Sequence, residues 1–425
     1  MRRPAVYAGA FLLASACAAS QPPPPASDAE TADSAAADET ELTNPGEPPT
    51  SAAAELEAAT TDYKNWFRIT PEQDPLRGLD AWRKSLQTDL GLKVGGAYSM
   101  LMQQATGGPG DRTAAAGKLE FLSNWTLPGG NEIDFGRVSF TADYRFQIGD
   151  IVPNSLGPEI GTLIPTANSY NERTLVVKEF FYEQRTFEGK LRVLGGRLDM
   201  ENYVGGHRMQ SANLFYLNKA FSGNPTIAYP GVGLAADAAV LPTKWLYIAG
   251  AVADANAVTT QSDLDTAFDT GELFAFGEAG ILTNIDGWGE GRQRLSYWHI
   301  DAREEADKPS DQGVCLTLDQ DFGARFTAFA RGAYSDADVT GVRELLEAGF
   351  ALKGVLGSTS DVTGFAAAWA SPPQGRDETI LEVFHRFQLA LRMQFTAGAQ
   401  LILNPGNAPQ DDALGVFSLR FRFSF

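Results

Sequence analysis

This chain of 425 residues is poor in the groups that build disulfide frameworks, metal centres and helical membrane spans. It has two cysteines, Cys17 and Cys315, and Cys17 lies in a leader-like N-terminus, so no disulfide network is expected in the mature fold. The three histidines, His207, His299 and His385, are scattered without His-Glu-x-x-His spacing or paired cysteines, so no metal or other cofactor is expected. No Gly-x-Ser-x-Gly elbow occurs, and His299 near a strand end is only a loose candidate for rim-bound hydrolysis, so the chain does not read as an enzyme. Beyond residue 20 no stretch approaches the roughly 20 apolar residues of a spanning helix. Positive charge is scarce too. A formal net charge of −19 speaks against a nucleic-acid partner.

The N-terminus reads in three pieces. Arg2 and Arg3 precede an apolar run from Ala5 to Ala14 and small residues at Ser15, Ala16 and Ala18, which predicts an export signal over residues 1–19. The run Leu-Ala-Ser-Ala-Cys resembles a lipoprotein box, but Ala14 stands three places before Cys17, so ordinary cleavage is expected and lipidation is the alternative. Residues 20–62 form an acidic Pro/Ala-rich tether without aromatics, expected to be disordered in the periplasm because nothing in it can build a core. Residues 1–60 hold nine acidic residues against two arginines, so −12 of the net charge belongs to the body that follows. Leu79, Trp82, Leu86 and Leu90 recur at helical spacing, which predicts a short amphipathic periplasmic helix within 63–90.

From residue 91 the period changes to 2. The last nine residues, FSLRFRFSF, place Phe417, Leu419, Phe421, Phe423 and Phe425 on one strand face and Ser418, Arg420, Arg422 and Ser424 on the other. A greasy face at a chain terminus suits a lipid-facing strand better than a soluble sheet, and Phe425 reads as the terminal signal for the barrel-assembly machinery. Val138, Phe140, Ala142, Tyr144, Phe146 and Ile148 alternate in the same way with Arg137, Ser139, Thr141, Asp143, Arg145 and Gln147. Sixteen such segments can be read up to Phe425, among them 117–127, 174–186 and 324–334. Tight connections, such as 187–189 and 242–243, alternate with long ones at 151–171, 199–230 and 255–271. The expectation is an all-β transmembrane antiparallel barrel over 91–425, with both termini on the periplasmic side of the outer membrane of a Gram-negative bacterium.

Three segments carry a family resemblance. LDAWRKSLQTDLGLKVGGAYS before and into the first strand, EFFYEQRTFEGKLRVLGGRLD in the middle, and RDETILEVFHRFQLALRMQFTAGAQLILNPGN near the end resemble, in that order, the carbohydrate-selective porins of the OprB type over about residues 75–425. The segment AWRKSL departs from that family's Gly-rich Trp-Gly-Gly approach, and the acidic tether is longer than the family's. The resemblance implies a sixteen-stranded barrel for passive diffusion of mono- or oligosaccharides.

Alternation assigns Glu120, Arg137, Asp143, Arg145, Glu179, Glu183, Arg325, Arg331, Glu382, Arg386, Arg420 and Arg422 to the pore lining. Guanidinium forks and carboxylates both hydrogen-bond vicinal hydroxyls, although for any one charge the plainer role is bracing a wet wall. The long segment Asp199–Pro230 supplies Asn202, Tyr203, Arg208, Phe215 and Tyr216 as sugar-binding candidates, with His207, Asn213, Asn218 and Lys219 nearby. Folded inward, it would narrow the pore and offer rings for stacking; its aromatics would equally serve a small core of its own. Outer-membrane lipid and sugar solutes are the expected partners, and the chain is expected to work as a monomer or a homotrimer. An anion or general-solute porin and a structural envelope barrel are the alternative readings.

Overall fold

A strand that is apolar on one face and polar on the other must hide both its edges, and a closed barrel does so completely. In the computed structural model, which describes residues 66–67, 73–261, 270–356 and 358–425, sixteen antiparallel strands close in this way. They are β1 (Leu92–Ala105), β2 (Thr113–Thr126), β3 (Gly136–Gln147), β4 (Arg173–Thr186), β5 (Leu191–Leu198), β6 (Gly233–Thr243), β7 (Leu246–Asp254) and β8 (Leu273–Ile285) in the first half. The second half holds β9 (Gly289–Ile300), β10 (Asp311–Phe322), β11 (Phe326–Ser335), β12 (Glu344–Lys353), β13 (Val362–Ser371), β14 (Glu378–Ala390), β15 (Met393–Leu403) and β16 (Ala413–Ser424). Each pairs with its chain neighbours. The seam closes where β1 meets β16, from Ala97 opposite Ser424 to Ala105 opposite Val416.

The sixteen strands lie within a few residues of their expected positions, with two shifts that matter. β2 starts at Thr113 instead of 117, and β11 starts at Phe326, which leaves Arg325 in a turn. Connections at the Phe425 end include two-residue turns at 244–245 and 391–392, whereas the opposite end carries 148–172 and 199–232. The parity of loop length weakens elsewhere, since the turn-end connection 127–135 is as long as 404–412 at the loop end.

Leu119, Phe121, Phe180, Leu295, Leu316, Leu346, Val383 and Phe417 all project outward with more than a third of their surface open. An apolar belt on every side is far larger than the patches a soluble monomer exposes, and it is the lipid face of a membrane-spanning barrel. No helix among the described residues is long and apolar enough to cross a membrane. Around the turn-side rim, Trp288, Phe322, Phe326, Phe350 and Phe365 follow one another with centroid separations of 4.9–6.2 Å, an aromatic girdle at the interface level.

The lumen is filled by two connections from the loop end. The β3–β4 connection carries α2 (Pro153–Ile160), which ends at Gly161 with φ 79°; a β-carbon there would stand 2.6 Å from that of Ala408, so only glycine allows both the left-handed turn and the close approach. The β5–β6 connection carries a 3₁₀ turn (Met200–Asn202) and α3 (Lys219–Ser222). Before β1 lies α1 (Arg77–Leu90), capped by Gly91 at φ 70°. The expected signal, tether and Cys17 fall outside the described residues.

Candidate functional site

The β5–β6 connection is two-faced, and that property sets its path. Met209, Tyr216, Ala220 and Phe221 are buried in one cluster with Phe329, Ala351, Val362, Ala366, Ala368, Ile380 and Phe384 from β11–β14. An inner wall rich in alanine is unusual for a wet lumen; here it is the seat of the loop. Polar bonds complete the attachment. Glu382 accepts the backbone N–H groups of Leu217 and Asn218 at 2.7 and 3.0 Å, and Asn218 donates to Gln400 Oε1 at 3.0 Å. Arg331 donates to Gly223 O and Gln210 Oε1, Arg386 to Leu214 O, and Arg420 to Ala212 O and Phe215 O. Tyr216 Oη donates to Phe350 O at 2.6 Å and lies 3.0 Å from Phe365 O.

The loop's other face looks at β2–β4, and between them lies a narrow polar cavity of about 50 Å³. Lys118, Glu120, Leu122, Thr141, Lys178 and Glu179 line it from the strands, Asn168 and Ser169 from the β3–β4 connection. Asp199, Glu201, Asn202, Gln210, Ser211, Ala212, Asn213 and Ser222 line it from the folded loop. Lys178 faces inward beside Glu179 because of a β-bulge: Thr141 pairs with Glu179 and Ala142 with Val177, so Lys178 is the extra residue.

Each charge in this wall has a partner from the protein. Lys118 Nζ is 3.0 Å from Glu120 Oε1 and donates to Asn213 Oδ1 at 2.7 Å; Arg422 Nη1 reaches Glu120 Oε2 at 3.1 Å. Lys178 Nζ is 3.0 Å from Asp199 Oδ2. Asn202 and Asn168 donate at 3.0 Å to Glu179 Oε1 and Glu201 Oε1. Burial alone would raise the Asp199 carboxyl, but Lys178 outweighs it and holds the group below its ordinary range. Burial pushes the Glu201 carboxyl up. The result is amides, hydroxyls, ammonium groups and carboxylates on one narrow wall, with no aromatic residue and with each ammonium group beside a carboxylate.

Of the residues singled out from the sequence, Glu120, Glu179 and Asn202 meet at this cavity. Arg137 with Glu183, and Arg145 with Asp143, form ion pairs of 2.5 and 2.8 Å on the inner wall of β3 and β4. Arg331, Glu382, Arg386 and Arg420 hold the loop down, so their polar groups are spent on protein. Arg208 is likewise engaged, by Asp319 at 2.6 Å and Asp321 at 2.8 Å. Four expectations need correction. Arg325 does not line the pore: it is in the β10–β11 turn and donates to Lys353 O and Gly354 O. Tyr216 is wholly buried, and Tyr203 packs edge-on to Phe181, so neither presents a face to a sugar. Phe215 is half-buried with the Arg386 guanidinium 5.6 Å from its ring centre, which occupies the face it would offer.

Sequence reasoning missed Lys118, Lys178, Asn168 and Gln210, and it missed the inward course of the β3–β4 connection. Val152, Leu156, Ile160, Leu163, Ile164 and Tyr170 are too apolar for a solvated loop, and that was the available signal.

A closed sixteen-stranded barrel with an apolar outside, a charged inside and a loop seated across its lumen defines a membrane-spanning porin. The chain belongs to the carbohydrate-selective porin, OprB family, whose sequence profile matches residues 85–306 and 301–425. Among solved structures it is similar to the high-pH form of Pseudomonas putida OprB, with TM-score 0.66 and 16% identity over 86% of this chain and 99% of that one. The low-pH form of that protein gives 0.49 and 14%, over 86% and 100%. An engineered Rh. blastica porin gives 0.49 and 9%, over 79% and 100%. No curated protein matches the sequence.

Proposed function

We propose that the chain is a Gram-negative outer-membrane porin that passes mono- or oligosaccharides passively, and that the cavity between the folded loop and β2–β4 is its selective passage. The observation that carries this reading is the composition of that wall. Asn168, Asn202, Gln210 and Asn213 stand beside Thr141, Ser169, Ser211 and Ser222 and beside charged groups of both signs, a set that can replace the hydration of a polyhydroxylated solute group by group. Lys118 and Lys178 are each matched by a carboxylate, so the passage offers no bare cation to draw anions. That weighs against the anion reading. The general-solute reading is the competitor, and swelling rates of proteoliposomes separate the two. Glucose should enter faster than a linear polyol of similar size, and the combined Asn202→Ala and Gln210→Ala change should erase the difference; equal rates in the unaltered protein favour a general-solute pore.

The same reading assigns residues 1–19 to export, 20–62 to a periplasmic tether and Phe425 to recognition by the barrel-assembly machinery. Assembly as a homotrimer belongs to this proposal as well, and cross-linking in native membranes tests it by the size of the adduct.

A further inference from the structure

The described residues before β1, 66–67 and 73–91, lie along the barrel rim on its lipid side. Trp66 sets its ring edge-on to Phe387 with centroids 6.0 Å apart, and the backbone N–H groups of Trp66 and Phe67 donate to Gln388 O and Leu389 O at 3.3 and 2.7 Å. Phe387 shares the outward parity of β14 with the exposed Val383. At the far end, Trp125, which points outward from β2, donates its indole N–H to Leu90 O at 3.1 Å. Between these points Asp74 and Asp80 pair with Arg392 in the β14–β15 turn, and Arg83 Nε donates to Val94 O of β1 at 2.6 Å. These contacts run from β14 past the β16–β1 seam to β2, with outward-facing aromatics at both limits.

The helix itself is one-sided. At 100° per residue Leu79, Trp82, Leu86 and Leu90 fall on a single face; Leu79 and Leu86 are half-buried against the barrel, whereas Trp82 is 54% and Leu90 58% exposed. The barrel therefore covers only part of this face. The remainder continues a surface already assigned to lipid, through Trp125 on one side and the Phe387–Phe395 pair, 6.2 Å apart, on the other. Tryptophan concentrates at the headgroup level, and an amphipathic helix beside it settles with its apolar face at the headgroup–acyl boundary.

We propose that α1 is seated in the periplasmic leaflet of the membrane, with Trp82 and Leu90 entering lipid, and that it forms a collar across the closing seam. The occupant of its open face is phospholipid. This differs from a helix standing free in the periplasm or covering the pore mouth.

Hydroxyl-radical footprinting of the full chain in phospholipid nanodiscs tests this without any substitution. Oxidation of Trp82 and Leu90 should fall at least five-fold below that of the urea-unfolded chain, despite the surface that the barrel leaves open; oxidation within two-fold of the unfolded chain overturns the proposal. A second test uses Trp82→Phe, a change small enough to keep the fold. The fluorescence difference between the unaltered protein and this variant reports Trp82 alone. It should be quenched by lipids brominated near the glycerol end of the acyl chain and be insensitive to aqueous iodide; the opposite pattern overturns the proposal.

Discussion

A β-carbon on Gly96 would lie 2.6 Å from the ring of Phe425, while the backbone N–H and C=O of these two residues exchange hydrogen bonds of 2.7 and 2.8 Å. The terminal phenylalanine can lie across β1 only because position 96 has no side chain. Gly96→Val should displace the ring and cost about 1–3 kcal/mol, as overpacking does. The urea midpoint of the folded band on semi-native gels should fall; an unchanged midpoint would contradict this account of the seam. Phe425→Ala leaves the lumen untouched and should lower the amount of barrel inserted in the outer membrane, measured against total synthesis. Normal insertion would remove the role proposed for that residue. At this scale the sequence was legible wherever period 2 held. It placed Glu120, Glu179, Glu183 and Arg420 on the inward face, where the structure has them buried. It was blind to Lys178, because a bulge turns an outward position inward, and it misplaced Arg325, because a strand that starts two residues late turns a wall residue into a turn residue.

The folded loop is the element on which the proposed passage depends, and its attachment is chemically specific. Glu382→Leu would leave the Leu217 and Asn218 amides buried without an acceptor, at about 1–3 kcal/mol each. The expected outcome is a loop that leaves its seat part of the time, with larger and noisier single-channel conductance; a conductance indistinguishable from the unaltered protein would contradict it. His207 gives the loop a pH dependence. The imidazole is wholly buried, stacks on Phe329 with centroids 3.9 Å apart, and accepts the Met209 N–H on Nδ1. Burial first, then the charges of Arg331 and Arg294, hold its pKa well below the ordinary value of 6.5, although Glu347 Oε1 stands 3.8 Å from Nε2. Only the released loop takes up a proton in that range. The His207 contribution to the seating free energy is therefore complete above pH 6.5 and declines as pH falls below it. Hydrogen exchange over 203–222, corrected for intrinsic rates, should be faster at pH 5 than at pH 7.5 in the unaltered protein and much less pH-dependent in His207→Asn; equal protection at both pH values would contradict this. The loop's existence and composition were readable from the sequence, but the destination of its rings was not. Whether Tyr216 faces a solute or a wall is decided by small residues such as Ala351, Ala366 and Ala368, more than 130 positions away, and their smallness carries meaning only once the barrel has closed.

For the whole molecule, sixteen strands joined to their chain neighbours make the fold a sum of local pairings plus one long-range closure, which is why alternation and loop length sufficed to foresee it. Nothing in that scheme calls on the acidic segment before Trp66. Deleting Gln21–Ala59 should leave the heat-modifiable folded band intact, and its loss would contradict the tether reading. The passage is the central claim, and one measurement addresses it most directly: single-channel conductance of the unaltered protein in planar bilayers, in potassium chloride, with a series of sugars added. The account predicts saturable sugar-dependent block together with weak preference between potassium and chloride in the reversal potential. Strong anion selectivity with no block by any sugar would contradict it.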